Sequence, residues 1–348
     1  MRTMRMRMSR ETRKLFKVKR KFSILWVLLP LLGLALLTSL TVYDNSRIEL
    51  DEVTFSMPTL PKNLEGYSIL QLSDIRDRQF GERGNALAEA LGDSKYDIVV
   101  LTGDLLGKDG DATGLNQALA YFQAQEKPVY FITGENDLPV TEVREDGSFG
   151  LSLWAQDAID AGAVYLDVPV VLTNGETRLV LMPASSLLLD TSSAVSSLQK
   201  RLEDKSLSQG EIESIEYRIG RVEAFAKTME GTQQGDLNIM LSHTPCLSSE
   251  LQSESTTAVF GYADLILSGH HLGGQFCLPF SGALHIENEL LPRGGWFPQA
   301  RYEKGLHEVN ATYQYISTGL GTMYEKYPAF RLCNTPQISK ITLTRKVN

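Results

Sequence analysis

Cysteine is scarce in this sequence, which excludes a zinc knuckle and a scaffold held together by disulfides. The chain has 348 residues but three cysteines, Cys246, Cys277 and Cys333, which lie too far apart for a zinc knuckle and can form one disulfide at most. With 43% hydrophobic residues, a chain of this length can bury a sizeable core without cross-links. We therefore expect one large globular domain, or two, rather than a disulfide scaffold.

Basic residues are also scarce once the N-terminal segment is set aside. Of 34 lysines and arginines, ten lie in residues 1–21, where Glu11 is the single acid. The remaining residues carry 24 basic side chains against 41 acidic ones, a balance of −17. Proteins that bind nucleic acid need basic patches that neutralise phosphates. The sequence therefore predicts no nucleic-acid partner.

Charge is absent altogether from residues 22–43. At about 1.5 Å per residue, a helix of these 22 residues is long enough to cross a bilayer core of about 30 Å. The basic segment 1–21 predicts a cytoplasmic N-terminus, so we expect a single-pass protein of the cell membrane with residues 44–348 outside the cytoplasm. A cleaved signal peptide is the alternative, but the apolar run exceeds the usual length of roughly 7–15 residues, and no A-x-A site follows it.

In the rest of the chain, short β-branched or apolar runs alternate with helical stretches, without any internal repeat. This alternation is typical of an α/β domain. The runs predict strands at 68–72, 98–101, 129–133, 179–182, 239–242, 265–268, 313–317 and 338–344. Five of these strands end directly on a polar cluster. Because the site of an open α/β sheet lies beyond the carboxyl ends of its strands, we expect the five clusters to meet in one crevice.

The five clusters are rich in ligands for a hard or borderline metal ion. They read, in chain order, Ser73-Asp74-Ile75-Arg76, Gly103-Asp104, Gly134-Glu135-Asn136-Asp137, His243-Thr244-Pro245 and Gly269-His270-His271-Leu272. Carboxylate oxygens and imidazole nitrogens suit zinc, manganese or iron, and no thiolate falls in any cluster. A divalent ion of this kind is therefore the expected cofactor, and phosphoryl chemistry is a reaction that such ions promote.

The order of the clusters resembles that of the calcineurin-like metallophosphoesterases, in particular their membrane-associated bacterial branch. The family order is D-x-H, G-D, G-N-H-[DE], a lone His after a strand, and G-H-x-H, often continued as G-G-Q. Asp74, Asp104, His243, His270 and the tail 273–275 match it, and residues 315–322 look like the closing motif of the branch. The resemblance runs from about residue 50 to 343. It implies a four-layer αββα sandwich, an α/β fold, with metal ions between the strand-end loops.

Departures from the family pattern fall unevenly on its two metal sites. In the family, the first metal takes the Asp and His of D-x-H together with the last His of G-H-x-H, and the Asp of G-D bridges to the second metal. Here Arg76 and Leu272 replace both of those histidines, so the first site keeps Asp74 and the bridging Asp104 alone.

The second metal site is better preserved. In the family it takes the Asn of G-N-H, the lone His and the first His of G-H-x-H, in addition to the bridging Asp. This sequence keeps Asp104, His243 and His270, and Glu135 supplies a carboxylate in place of the amide. Two carboxylates and two imidazoles are a reasonable ligand set for one zinc, manganese or iron ion. The resemblance thus implies one metal ion rather than two.

Two residues of the clusters have roles other than metal binding. Arg76 brings a permanent positive charge that can pair with either carboxylate of the first site, exclude a cation and hold a phosphate through two hydrogen bonds. Asn136 stands where the family has the His that protonates the leaving group, so that donor is lost. Asp77 and His271 lie one residue from a lost ligand, but neighbours in an extended segment point to opposite faces, and we do not expect them to replace it.

Two classes of function remain open. The first is a hydrolase of a phosphate ester or phosphoanhydride that works with a reduced metal site. The second is a catalytically impaired pseudo-phosphoesterase that binds a phosphorylated ligand or a protein partner without turnover. Because a membrane anchor brings the domain close to lipids and envelope polymers, a phosphorylated small molecule or lipid is the expected ligand in either case.

Residues 192–230 form a segment that the family resemblance does not explain. Apolar residues recur in it at spacings of three and four, which predicts two antiparallel helices joined near Gly210. One interpretation is a hairpin that packs on the domain. The other is a lid above the crevice or an arm that docks a protein partner.

Overall fold

The computed structural model describes residues 10–187, 190–233, 235–246, 263–288, 291–309, 312–323 and 328–346. Within these ranges the helices are α1 (Arg10–Ser46), α2 (Asn85–Leu91), α3 (Thr113–Ala124), α4 (Leu153–Asp160), α5 (Ala184–Leu187), α6 (Thr191–Leu202) and α7 (Gln209–Glu230). The strands are β1 (Glu49–Ser56), β2 (Ser68–Leu72), β3 (Ile98–Thr102), β4 (Val129–Ile132), β5 (Thr141–Val143), β6 (Phe149–Leu151), β7 (Ala163–Tyr165), β8 (Val170–Asn174), β9 (Thr177–Pro183), β10 (Leu237–Leu241), β11 (Leu265–Ser268), β12 (Cys277–Leu278), β13 (Gly282–Ala283), β14 (Gly305–Val309), β15 (Thr312–Ile316) and β16 (Gln337–Thr344).

The first large sheet has the strand order β1-β16-β2-β3-β4-β7. Strands β2, β3, β4 and β7 are parallel, and β16 is antiparallel to β2. Both faces of this sheet are buried, as the alternation in β3 illustrates: Val99 and Leu101 pack with α2, α3 and α4, whereas Ile98 and Val100 pack towards the second sheet. A strand that is covered on both faces is apolar at most of its positions, which explains the sequence IVVL.

The second large sheet has the order β14-β15-β11-β10-β9-β8, with β9, β10, β11 and β15 parallel. Leu181, Ile239 and Leu267 point into the shared core between the sheets. Met182 and Met240 pack in a separate apolar cluster on the other face. The two mixed sheets confirm the predicted α/β class, and their parallel strands carry the five polar clusters to one edge.

All eight predicted strands are present, and their boundaries differ from the predicted ones by two residues at most at either end. The four missed strands of the two large sheets, β1, β7, β8 and β14, are the four edge strands. Edge strands are covered incompletely, so their sequences need not be apolar and are often short or charged. The sequence ELDEVTFS of β1, for example, carries three acids.

Helix α1 contains one stretch, Trp26–Ser46, that is long and apolar enough to cross a membrane by length and composition, a test that a signal sequence also passes. Its large side chains, such as Leu32 and Val42, are exposed. The end of the helix is attached to the domain: the Asn45 side chain exchanges hydrogen bonds of 2.7 and 2.8 Å with the backbone of Arg331, and Arg78 donates to the Asn45 carbonyl at 2.7 Å.

Helices α6 and α7 form an antiparallel hairpin that covers the predicted segment 192–230 and begins one residue before it. Ser208 and Glu211 form a capping box that starts α7. The hairpin packs on the domain, because the Tyr217 ring lies 5.6 Å from that of Phe149 and its hydroxyl donates to Asp167 at 2.8 Å. The structure therefore places the hairpin against the sheets rather than in solvent.

Candidate metal centre

The five polar clusters meet where the parallel strands end. The Asp74 amide donates to the Gly103 carbonyl at 3.0 Å, the Gly269 amide donates to the His243 carbonyl at 2.9 Å, and the His270 amide donates to Asp74 Oδ2 at 3.0 Å. Gly103 has a φ of +89°, and a Cβ there would lie 2.8 Å from Nδ1 of His243. A glycine is thus required before Asp104 so that the loops can approach this closely.

Several site residues have a backbone conformation that side chains disfavour. Asp74, Arg76, Asp104, His270 and Leu272 all have φ between +49° and +69°. This left-handed region costs free energy for residues other than glycine, and such residues cluster at functional sites where the surrounding structure holds them in place. The strand-end loops are therefore shaped for the side chains that they present.

Asp104, His243 and His270 each bring a ligand atom to a common point. Oδ2 of Asp104 lies 3.3 Å from Nε2 of His243, which lies 3.3 Å from Nδ1 of His270. All three residues are buried, and their ligand atoms lie within 4.8 Å of one another. Lone pairs this close repel unless a cation or a proton lies between them. Two imidazoles and a carboxylate at this spacing fit a divalent metal ion.

His243 is oriented by the backbone. Its Nδ1 lies 2.9 Å from the Thr102 carbonyl, so Nδ1 carries the hydrogen and Nε2 is left to face the cluster. Burial lowers the pKa of His243, but the hydrogen bond to Asp104 and the charges of Asp74 and Asp104 outweigh it and raise the pKa to about 9. Nε2 of His243 thus attracts a cation, whether a proton or a metal ion.

Arg76 pairs with Asp104 rather than with Asp74. Its Nη2 donates to Oδ2 of Asp104, the same oxygen that faces His243, and both side chains are buried. Asn136 adds two hydrogen bonds, from its backbone amide to Oδ1 at 3.0 Å and from its side-chain amide to Oδ2 at 2.8 Å. Burial raises the pKa of Asp104, but the hydrogen bond and charge of His243 and the charge of Arg76 hold it well below its usual range.

Asp74 lies beside this cluster with one oxygen free. Its Oδ2 accepts hydrogen bonds from the Ser73 hydroxyl at 2.7 Å and the His270 amide, whereas Oδ1 is buried without a hydrogen-bond partner among the described residues. A buried carboxylate oxygen left unpaired is costly unless a cation meets it, and this oxygen also fits a metal site. The side chain of Leu272, at the position of the lost histidine, is buried beside Asp74 and Gly319.

Glu135 is attached to the cluster more loosely. Its Oε1 lies 3.7 Å from Nδ1 of His270, and its side chain is 58% exposed. Glu135 therefore borders the ligand group from the solvent side and does not share the common point of the other three ligand atoms.

Asp77 and His271 do not join the cluster, in agreement with the sequence-based expectation. Oδ1 of Asp77 accepts a hydrogen bond from the Lys108 amide at 2.8 Å, and Nδ1 of His271 lies 2.6 Å from the Tyr302 carbonyl. Burial lowers the pKa of His271 to about 3, and the charge of His270 adds to this effect. The Asp77 carboxylate and Nδ1 of His271 are thus committed to other partners, whereas Nε2 of His271 is buried without a hydrogen-bond partner among the described residues.

Sequence reasoning did not assign a role to Asp137, which aligns two of the strand-end loops. Its carboxylate accepts hydrogen bonds from the amides of Leu105 and Leu106, at 2.7 and 2.9 Å, and from that of Gly134 at 2.8 Å. Burial raises the pKa of Asp137 to about 6. The acidic final position of the G-N-H-[DE] motif was the signal that could have identified it.

We expect Asp137→Asn to lower the affinity of the centre for zinc or manganese by about 10- to 100-fold, as is usual for residues that support metal ligands. The amide cannot accept hydrogen bonds on both of its heavy atoms, so one loop loses its restraint. Metal titration followed by calorimetry measures the change. Asp111→Asn is a matched control, since the Asp111 carboxylate is exposed and, among the described residues, accepts hydrogen bonds from Thr113 alone. Equal affinities in both variants would contradict the role of Asp137.

Sequence reasoning also missed Arg331, a fully buried guanidinium behind the centre. It donates to the carbonyls of Gly321 and Thr318 at 2.8 and 2.9 Å, both in the closing motif. Burial lowers its pKa to about 10, while the charge of Asp74 acts in the opposite direction. Because the amides of Leu320 and Gly321 bond to the carbonyls of Ser73 and Asp74, Arg331 fixes the closing motif against the first cluster.

The fold and the metal centre together define a metal-dependent phosphoesterase scaffold. Residues 67–273 match the sequence profile of the calcineurin-like phosphoesterases, and the chain belongs to that family. The resemblance stated from the motifs is thereby confirmed.

The individual proteins that resemble this chain are distant from it in sequence. Over 299 residues the chain is 22% identical to YkuE, an uncharacterized metallophosphoesterase of Bacillus subtilis (strain 168), with 85% of each protein covered. Among solved structures, it is similar to the phosphopantetheinyl hydrolase PptH of Mycobacterium tuberculosis, at 14% identity and a TM-score of 0.36, covering 74% of this chain and 91% of that one. It is also similar to TT1561 of Thermus thermophilus, at 12% identity and a TM-score of 0.39, covering 73% and 90%. These structural likenesses concern the fold alone.

Proposed function

We propose that this protein is a membrane-anchored phosphoesterase that acts on a phosphate ester or phosphoanhydride with one divalent metal ion and the guanidinium of Arg76. The observation that carries the proposal is the sharing of Oδ2 of Asp104 between Arg76 and His243. In the family pattern this carboxylate bridges two metal ions. Here one oxygen of the carboxylate faces both a permanent cation and a metal-ligand group, which supports a site with one metal and one arginine.

The residues of the centre divide the chemistry among them. A divalent ion held by Asp104, His243 and His270 supplies, when bound, a Lewis acid that polarises the phosphoryl group and lowers the pKa of a water molecule. Arg76 stays protonated and can donate two hydrogen bonds to phosphoryl oxygens, so it stabilises the negative charge that develops on them. Asp104 remains ionised and holds Arg76 in place, while Asn136 orients Asp104.

The substrate must have a good leaving group. The side-chain amide of Asn136 donates to Asp104 and carries no proton that it can release to a departing oxygen. Without a general acid at this position, the rate depends on how well the leaving group bears a negative charge. Phosphoanhydrides and aryl esters therefore suit this centre better than alkyl esters.

The metal content tests this proposal directly. We expect one equivalent of zinc, manganese or iron, which is lost in His243→Ala and His270→Ala and largely kept in Asp74→Ala, because Asp74 lies mainly in the pocket without histidines. Elemental analysis of the purified proteins after dialysis measures the equivalents. Hydrolysis of bis(4-nitrophenyl) phosphate should follow the metal content across the variants. Two equivalents in the unmutated protein would show that another residue has restored the second site.

A second candidate function is the binding of a phosphorylated ligand without turnover. It is favoured by the buried Leu272 and by Asn136, which occupy the positions of a metal ligand and a proton donor. Under this alternative, metal-dependent binding of inorganic phosphate is retained while hydrolysis of aryl phosphates and pyrophosphate stays at the rate of the free metal ion.

The proposed anchor places the centre outside the cytoplasm. Ten basic residues precede the apolar segment of α1, so we expect a reporter enzyme fused after Asn348 to be active when it is one that requires export, such as a periplasmic alkaline phosphatase. The same fusion to a fluorescent protein that folds only in the cytoplasm should be dark. An inactive phosphatase fusion together with a fluorescent second fusion would overturn this topology, and release of the chain into the soluble fraction would indicate a cleaved signal peptide.

A further inference from the structure

A cavity of about 610 Å³ lies between the α6–α7 hairpin and the sheets, apart from the metal centre. Its apolar lining includes Val140, Leu198, Val222 and Phe225. A second cavity of about 340 Å³ is lined by Glu135 and His243 of the centre. Tyr165 and Ser185 line both cavities, so the two lie side by side, and we refer to the pair, which extends from the metal centre to the hairpin, as the groove.

Positive charge is concentrated at the hairpin end of this groove. Arg201, Arg218 and Arg221 line the larger cavity, and Asp167 is the acid among its lining residues. Arg221 pairs with Asp167, which neutralises that carboxylate. Within the described ranges, the side chains of Arg201 and Arg218 form no ion pair or hydrogen bond, although the charge of Arg201 acts on the nearby carboxylate of Glu211. The balance of −17 beyond residue 21 makes such a concentration unusual for this chain.

The pattern of α7 explains why these side chains share the groove. Ile215, Arg218, Val222 and Phe225 recur at spacings of three and four, so they lie along one face of the helix. Arg218 lies in this row between the buried Ile215 and Val222, and its side chain lines the larger cavity while remaining exposed to solvent. An arginine on that face suits a ligand that has an apolar body and ends in an anionic group.

We propose that the groove is a substrate subsite: it takes the part of the ligand beyond the scissile phosphate, an elongated apolar group that carries a second phosphate or carboxylate, and Arg201 and Arg218 bind that second anion. This inference rests on the proposed function, since it assumes that the first phosphate lies at the metal centre. It narrows the substrate class to phosphate esters or anhydrides that carry a second anionic group, separated from the scissile phosphate by an apolar segment.

Alkane-1,n-bisphosphonates of increasing chain length, compared with methylphosphonate, test the subsite on the full-length metal-loaded protein in detergent. One range of chain lengths should bind at least tenfold tighter than methylphosphonate, because two charge-assisted contacts then form at once. The advantage should disappear in Arg201→Gln/Arg218→Gln. It should persist in Lys200→Gln/Lys227→Gln, which removes two charges from exposed positions of the same hairpin that do not line the cavity.

A His243→Ala background separates this proposal from the proposed function. In this background the bisphosphonates should keep a weak affinity, and the two arginine substitutions should abolish it. Methylphosphonate should no longer bind, because the metal ion at the centre is lost. If all chain lengths bind as methylphosphonate does in the unmutated protein, the subsite is wrong while the metal centre stands. If methylphosphonate shows no metal-dependent binding but the bisphosphonates still depend on the two arginines, the proposed function fails and the subsite stands. Equal loss in the lysine control variant would also overturn the subsite.

Discussion

The triple variant Arg76→His/Asn136→His/Leu272→His should bind two metal ions and hydrolyse bis(4-nitrophenyl) phosphate about 10²- to 10⁴-fold faster than the unmutated protein. A gain of this size is what a restored general acid contributes to the rate, and the second metal ion adds to it as a Lewis acid. The geometry favours the change, because Leu272 lies beside Asp74, whose Oδ1 is already buried without a partner among the described residues. Arg76 contacts Asp104, so a histidine there would also stand next to a ligand.

The two parts of this gain can be separated. The double variant Arg76→His/Leu272→His should gain the second metal without the proton donor, and its rate should rise for aryl esters more than for alkyl esters. Stopped assays over a series of leaving groups measure that difference. If the triple variant binds two metals and its rate is unchanged, the missing histidines are not what limits turnover. An ordinary enzymatic rate in the unmutated protein, of order 1–1000 per second, would exclude the pseudo-phosphoesterase.

Arg76→Ala should lower turnover by about 10³-fold, the lower end of the effect of an arginine that stabilises a phosphoryl transition state. It should also lower the free energy of unfolding of the metal-free protein by about 3–5 kcal/mol, because it leaves the Asp104 carboxylate buried without its cation. Added zinc or manganese should recover part of that stability by entering the vacated space. Steady-state kinetics and denaturant unfolding with and without chelator measure the two effects.

Arg78→Ala is the matched control for this experiment. It removes the same charge two residues further along, but Arg78 donates to the carbonyls of Asn45 and Arg47 at the end of α1 and does not contact Asp104. Its turnover per folded molecule should stay within a few-fold of the unmutated rate. Arg76→Lys should keep most of the stability and lose most of the turnover, since an ammonium cannot hold two phosphoryl oxygens in the planar geometry of a guanidinium. Full activity in Arg76→Ala would remove the arginine from the mechanism.

Much of the architecture could be predicted from the sequence. A strand that is buried on both faces is apolar at most of its positions, so the runs at β2, β3, β4, β10 and β11 were visible without a structure. The polar clusters after them were equally visible, because a chain leaving such a strand turns at the edge of the sheet. The edge strands were invisible for the converse reason: half-exposed strands such as β1 and β14 need no apolar pattern.

The sequence by itself determined the order of the motifs, and with it the family, the α/β class and the residue types available for a metal centre. The tertiary structure decided which neighbours point into that centre, because orientation depends on backbone φ and on contacts between distant segments. It directs His270 to the cluster and His271 to Tyr302, and it pairs Arg76 with Asp104, a choice that the spacing left open. It also revealed Asp137, Arg331 and the groove under the hairpin, whose roles rest on partners far away in the chain. Partners that are distant in the chain leave no periodic pattern in the sequence. The sequence shows the chemistry of each side chain but not which side chains lie next to it.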